Sequence, residues 1–73
     1  MNHTAAATAA LEELERATRN FRPFASAREG YAVILEELDE AWDAIKANEI
    51  GKACAEMTQV AAMALRFLVD MQP

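Results

Sequence analysis

The chain has one cysteine, Cys54, so it holds no internal disulfide framework and no cysteine-based zinc spacing. Two prolines and two glycines leave little punctuation, and no stretch alternates apolar and polar residues as a half-buried strand does. Sheet architectures are thereby set aside. Basic residues are few: seven Lys and Arg stand against twelve Asp and Glu, a net charge of −5. Nucleic acid is excluded as a partner, because phosphate contacts need clustered cations. Ala53 to Val69 is broken by Glu56, Gln59 and Arg66 and is too short and too polar to span a bilayer. The start, "MNHTAAATAALEELE", lacks the basic residues and apolar stretch of a secretion signal. The expectation is a cytoplasmic protein with no membrane partner.

Apolar surface is plentiful. Of 73 residues, 53% are hydrophobic, much of it Ala, Leu, Val and Met. A chain this short buries only about 60% of the surface its unfolded form exposes, and a lone core of this size supplies roughly 3–5 kcal/mol. So much apolar surface around so little interior predicts a second copy of the chain as partner, in a homodimer or a dimer of dimers.

Three- and four-residue spacing predicts a single all-α domain over residues 1–73, with helices at about 5–22, 26–48 and 50–71. In the first helix Leu11, Leu14, Thr18 and Phe21 form the predicted contact stripe, and Pro23 ends it. "SARE" reads as a capping box, with Ser26 receiving the Glu29 amide and the Glu29 carboxylate reaching back. Asn48 reads as the C-terminal cap of the second helix. The short "ANEIG" connection makes helices two and three an antiparallel hairpin. Fifteen of the twenty-two residues from Ile50 to Met71 are apolar and surround most of the helix. A helix of that kind is covered on several sides, so the hairpin is expected to complete a four-helix core in a homo-oligomer. Cys54 reads as a buried small hydrophobe.

"EELDEAWD" places five acids in eight positions. At 100° per residue, Tyr31, Ile34, Leu35, Leu38, Ala41, Trp42 and Ile45 form one broad stripe, the predicted core face, while Glu36, Asp39 and Asp43 lie opposite, in solvent. Glu37 and Glu40 share a second, narrower stripe with Val33 and Ala44. Carboxylates three apart repel, and a cation relieves that. Glu56 falls on a stripe with Val60, Met63 and Phe67, where an ionised group needs a partner or a metal. The competing readings are surface acids for Glu37 and Glu40, and an ion pair with Arg28 or Arg66 for Glu56.

"EELDE", then fifteen residues, then "EMTQ" resembles the E-E-x-x-E…E-x-x-D signature of the MazG-like all-α nucleoside triphosphate pyrophosphohydrolases. The flanks "FASAREGYAVILEELDEAWDAIK" and "ACAEMTQVAAMALRFLVDM" are similar to the two metal-binding helices of small phage and bacterial members. The resemblance covers Phe24 to Met71. It implies a dimer-based oligomer that holds Mg²⁺ (or Mn²⁺) on carboxylates of two antiparallel helices and cleaves a nucleoside triphosphate between its α and β phosphates. Carried over by position, it makes Glu37, Glu40 and Glu56 the metal ligands. Gln59 stands where the family has its final Asp and is a weaker contributor. Glu36 is the candidate catalytic carboxylate beside the ligand set, and Arg28, Lys52 and Arg66 are the candidate triphosphate contacts. The alternative is a catalytically weakened or inactive helical interaction module on the same scaffold.

Overall fold

The computed structural model describes residues 1–72. Three helices make up the fold: α1 (His3–Asn20), α2 (Ala27–Lys46) and α3 (Ile50–Asp70), and the described residues contain no strand. α1 starts two residues before its predicted beginning because the Asn2 side chain accepts the Ala5 amide hydrogen at 2.8 Å. It ends at Asn20, with Phe21 extended as its cap, leaving Pro23 outside. Ser26 accepts from the Glu29 amide at 3.1 Å, as the capping box requires. The reciprocal half differs. The Glu29 carboxylate accepts from the Ala25 amide at 3.1 Å and takes both Arg22 guanidinium nitrogens at 3.0 Å, which clasps the α1–α2 connection.

The turn from α2 to α3 is built on Asn48, which adopts left-handed backbone geometry with φ 59°. The Asn48 amide donates to Ile45 and the Glu49 amide to Ala44, the paired bonds of a Schellman closure. Asn tolerates this conformation better than most side chains. The tight turn lays α2 along α3, so Gly30 near the start of α2 meets Phe67 near the end of α3. α3 is the central helix, packed on α2 and on α1, while α1 and α2 do not pack on each other.

The interior is lined by alanine. Ala10, Ala17, Ala41, Ala44, Ala53 and Ala62 are buried with Phe24 and Met63, and Leu14, Val33, Ile34, Phe67 and Met71 close over them. Small side chains let the helix axes approach, and Gly30 takes this furthest. A Cβ added there would lie 2.7 Å from a Phe67 ring carbon and 3.0 Å from a Phe24 ring carbon.

Two predicted faces are therefore corrected. On α1 the contact side is Ala10, Glu13, Leu14 and Ala17, leaving Leu11 and Phe21 exposed and Thr18 bonded to the Leu14 carbonyl. On α2 the covered side is Gly30, Val33, Ile34, Glu37, Ala41 and Ala44, whereas Tyr31, Leu35, Leu38, Trp42 and Ile45 of the predicted core stripe point outward. Trp42 is 55% exposed and Tyr31 65%. Cys54 is exposed, not buried.

Arg66 ties the third helix to the loop. Its guanidinium, 6% exposed as a residue, donates to the Arg22 carbonyl, pairs with Asp70 at 3.6 Å and lies 4.6 Å from the Phe24 ring centre. Asp70 in turn accepts the Phe24 amide hydrogen at 2.9 Å.

Candidate metal centre

Glu37 and Glu40 stand one turn apart on α2, and Glu56 reaches them from the second turn of α3. One carboxylate oxygen from each of the three lies within 4.8 Å of the others. Buried Ala41, Ala44 and Ala53 around them bring the two backbones close enough for the short glutamate side chains to meet. The narrow stripe of α2 and the apolar stripe of α3 thus face each other, which is why all three acids share one site. Glu37 and Glu56 are half-buried, and Glu40 is exposed.

Burial and crowding raise the carboxyls of Glu37 and Glu40. Burial, then contact with Glu56, then the charge of Glu40 push the Glu37 carboxyl up to about 7. Contact with Glu56 leads the upward shift of Glu40. Glu36 is exposed outside the cluster, and its charge adds to the push on both neighbours. Lys52 sits with Asp43, Glu49, Glu40 and Glu56 around a cavity of about 370 Å³, the one cation lining that side.

The remaining expected residues separate. Gln59, one turn beyond Glu56, faces a groove it shares with Glu37 and lies beside Glu13 of α1. Arg66 also borders that groove, but its guanidinium is held by Asp70, the Arg22 carbonyl and Phe24, so Glu56 does not pair with it. Arg28 lies elsewhere, on an apolar groove lined by Tyr31, Ile34 and Leu68. The structure adds residues absent from the expected set: Glu13, Arg16, Phe21 and Arg22 gather near Gln59 or along the Glu37 groove. For Glu13 a signal existed, since it lies four residues before Ala17 on the same helical face. Phe21 and Arg22 come from the connection, where helical periodicity says nothing.

The acidity of Glu37 has a measurable result. Its carboxyl titrates near 7 in the folded chain and from an ordinary value of 4.5 otherwise, so the folded state takes up the proton first. The stability this contributes is fully present below about 4.5 and is lost as pH rises through about 7. Metal-free protein is expected to gain about 1–2 kcal/mol between pH 8 and pH 5, a figure already reduced for the partial exposure of Glu37. Glu29 and Glu13 are held low by Arg22 and Arg16, and their stabilisation is lost only on further acidification, so stability should peak near pH 5. Urea midpoints at pH 8, 6.5 and 5 in chelator check this, and a profile falling toward pH 5 contradicts it.

Among the described residues no helix is long and apolar enough to cross a membrane. No protein-family model, curated protein or solved structure matches the chain.

Proposed function

We propose that the chain is a Mg²⁺-dependent nucleoside triphosphate pyrophosphohydrolase, hydrolysing its substrate between the α and β phosphates to a nucleoside monophosphate and pyrophosphate. The observation that carries this reading is the convergence of Glu37, Glu40 and Glu56 from two helices onto one point. An all-oxygen donor set suits Mg²⁺ or Mn²⁺, and Mg²⁺ characteristically keeps part of its shell for water and substrate phosphates. Burial first and then the neighbouring carboxylates raise Glu37, contact with Glu56 leads the rise of Glu40, and a bound ion would offset the part due to like charge. Glu37, Glu40 and Glu56 would hold the metal, with the Gln59 amide oxygen at its edge. The ion would neutralise phosphate charge and polarise the attacking water. Lys52, which lines the cavity beside Glu40 and Glu56, would meet a phosphate, and exposed Glu36 would pass a proton to solvent.

In the same reading α2 and α3 are an antiparallel hairpin, and a second copy packs on the outward stripe of α2 to complete a four-helix core. Support comes from the large side chains that the protomer leaves uncovered there.

A Mg²⁺ titration together with a pyrophosphate-release screen over nucleoside triphosphates tests the proposal. Millimolar Mg²⁺ is expected to raise the melting temperature by several degrees through binding the folded state. Glu40→Ala or Glu56→Ala is expected to remove both that rise and the release of pyrophosphate. The second reading, an interaction module without catalysis, is favoured by Gln59, which supplies no charge and lies beside Glu13. It stands if wild type answers to neither Mg²⁺ nor Mn²⁺ and releases no pyrophosphate.

A further inference from the structure

A groove of about 480 Å³ runs between α1 and α2 over a floor from α3, within the ordinary size of a small-molecule site. Three of the seven cations of this acidic chain, Arg16, Arg22 and Arg66, line it. Its apolar lining is Ala17, Val33, Phe24, Met63 and the exposed Phe21, and Glu29, Glu37 and Gln59 complete it. Phe21 is 59% exposed and belongs to no core cluster, so an aromatic face stands open beside guanidinium groups. Arg66 is held by Asp70 and the loop, whereas Arg16 and Arg22 are themselves exposed, Arg16 paired with half-buried Glu13 and Arg22 with half-buried Glu29 and the Pro23 carbonyl. The guanidinium sides of both pairs stay open to water, within reach of an anion entering the groove. Along α2 the groove runs from Glu29 to Glu37, eight residues or about 12 Å of helix. Its far end is Glu37, which also belongs to the carboxylate cluster.

We propose that this groove is the nucleoside-binding site of the chain: a base stacks against Phe21 and Arg22 over the apolar lining, and the phosphate chain runs past Arg16 to Glu37. The site rests on the nucleotide reading given above and deepens it, naming the residues that hold the part of the substrate remote from the metal. Aromatic and guanidinium faces accept any base by stacking, and Gln59 is the one uncharged hydrogen-bonding side chain lining the groove, which predicts weak discrimination among bases. Arg16 supplies a phosphate contact on the side opposite Lys52.

The test is calorimetric titration of the full chain with Mg²⁺ and two non-hydrolysable probes, the α,β-methylene triphosphates of adenosine and uridine, against Mg²⁺ tripolyphosphate. Both nucleotide probes are expected to bind more tightly than tripolyphosphate. Phe21→Ala is expected to weaken the nucleotides about five- to hundredfold, the range for loss of one stacked base, while leaving tripolyphosphate unchanged. Arg16→Gln should weaken all three. Phe21 and Arg16 are both exposed, so neither variant threatens folding, and retained helicity by circular dichroism confirms this. The proposal is overturned if Phe21→Ala leaves nucleotide binding unchanged, if tripolyphosphate binds as tightly as the nucleotides, or if no nucleotide binds at millimolar concentration. Failure of the metal reading looks different: Glu40→Ala then leaves all binding intact while Phe21→Ala still weakens the nucleotides, and the groove stands without the metal.

Discussion

Leu38→Asp combined with Trp42→Asp should abolish the proposed dimer, leaving a monomer at micromolar concentration, read by sedimentation, with helix content unchanged. Both side chains are exposed, and neither belongs to the buried core. They sit on an outward stripe with Tyr31, Leu35 and Ile45. Across α3, Met57, Ala61, Ala64 and Leu68 recur on one side at the matching spacing, and Tyr31 and Leu68 line one groove. The exposed parts of these side chains together offer roughly the 800 Å² per partner of a standard interface. An exposed apolar patch of that extent on a lone protomer is unusual. Trp and Tyr are residue types that dominate binding energy at interfaces, and two aspartates per copy bring four carboxylates together without partners. The expected loss of affinity is on the order of a thousandfold or more. A wild-type chain that sediments as a monomer at the same concentration removes the basis of the four-helix assembly.

Arg66→Ala should be the most damaging single change inside the protomer. The side chain closes three links at once, to the Arg22 carbonyl, to Asp70 and to the Phe24 ring, at a position nearly sealed from water. Its removal leaves Asp70 with a single amide donor, Phe24, and opens space beside Met63. Breaking a buried pair from one side costs about 3–5 kcal/mol, and the lower figure applies here because the Phe24 amide still satisfies one carboxylate oxygen. For a domain of this size about 3 kcal/mol lowers the melting temperature by more than ~10 °C. Thermal melts at a fixed protein concentration, so that association does not change between samples, measure the effect. Asp70→Asn, which keeps the shape and an acceptor for Phe24, should cost clearly less. Equal loss from the two would show that charge pairing alone is at stake, and that the contacts to the loop carry nothing.

How legible this molecule was in its sequence varies from residue to residue. Three helices followed from spacing, and Ser26 and Asn48 marked one start and one stop because their cap geometries are local. Glu37, Glu40 and Glu56 were legible for a related reason. Two stripes on helices joined by a short turn must lie side by side. The packed face of α2 was misjudged because large side chains were taken as interior, when alanine lines the interior and the large residues are outside. Size signals apolar surface, not the partner that covers it. The Arg66 links were beyond reach for another reason: they join residues 44 and 46 positions apart, through a connection with no periodicity.

Surface turns ordinarily absorb insertions and deletions with little harm. The connection closed by Asn48 is an exception. Its two amide bonds set the register between α2 and α3, and with it the meeting of Glu56 with Glu37 and Glu40. One residue more or less would turn α3 by about 100° relative to α2, carrying Glu56 away from its neighbours and exchanging Ala53 at the contact for Lys52 or Cys54. The shortest loop of the chain is therefore its least adjustable part.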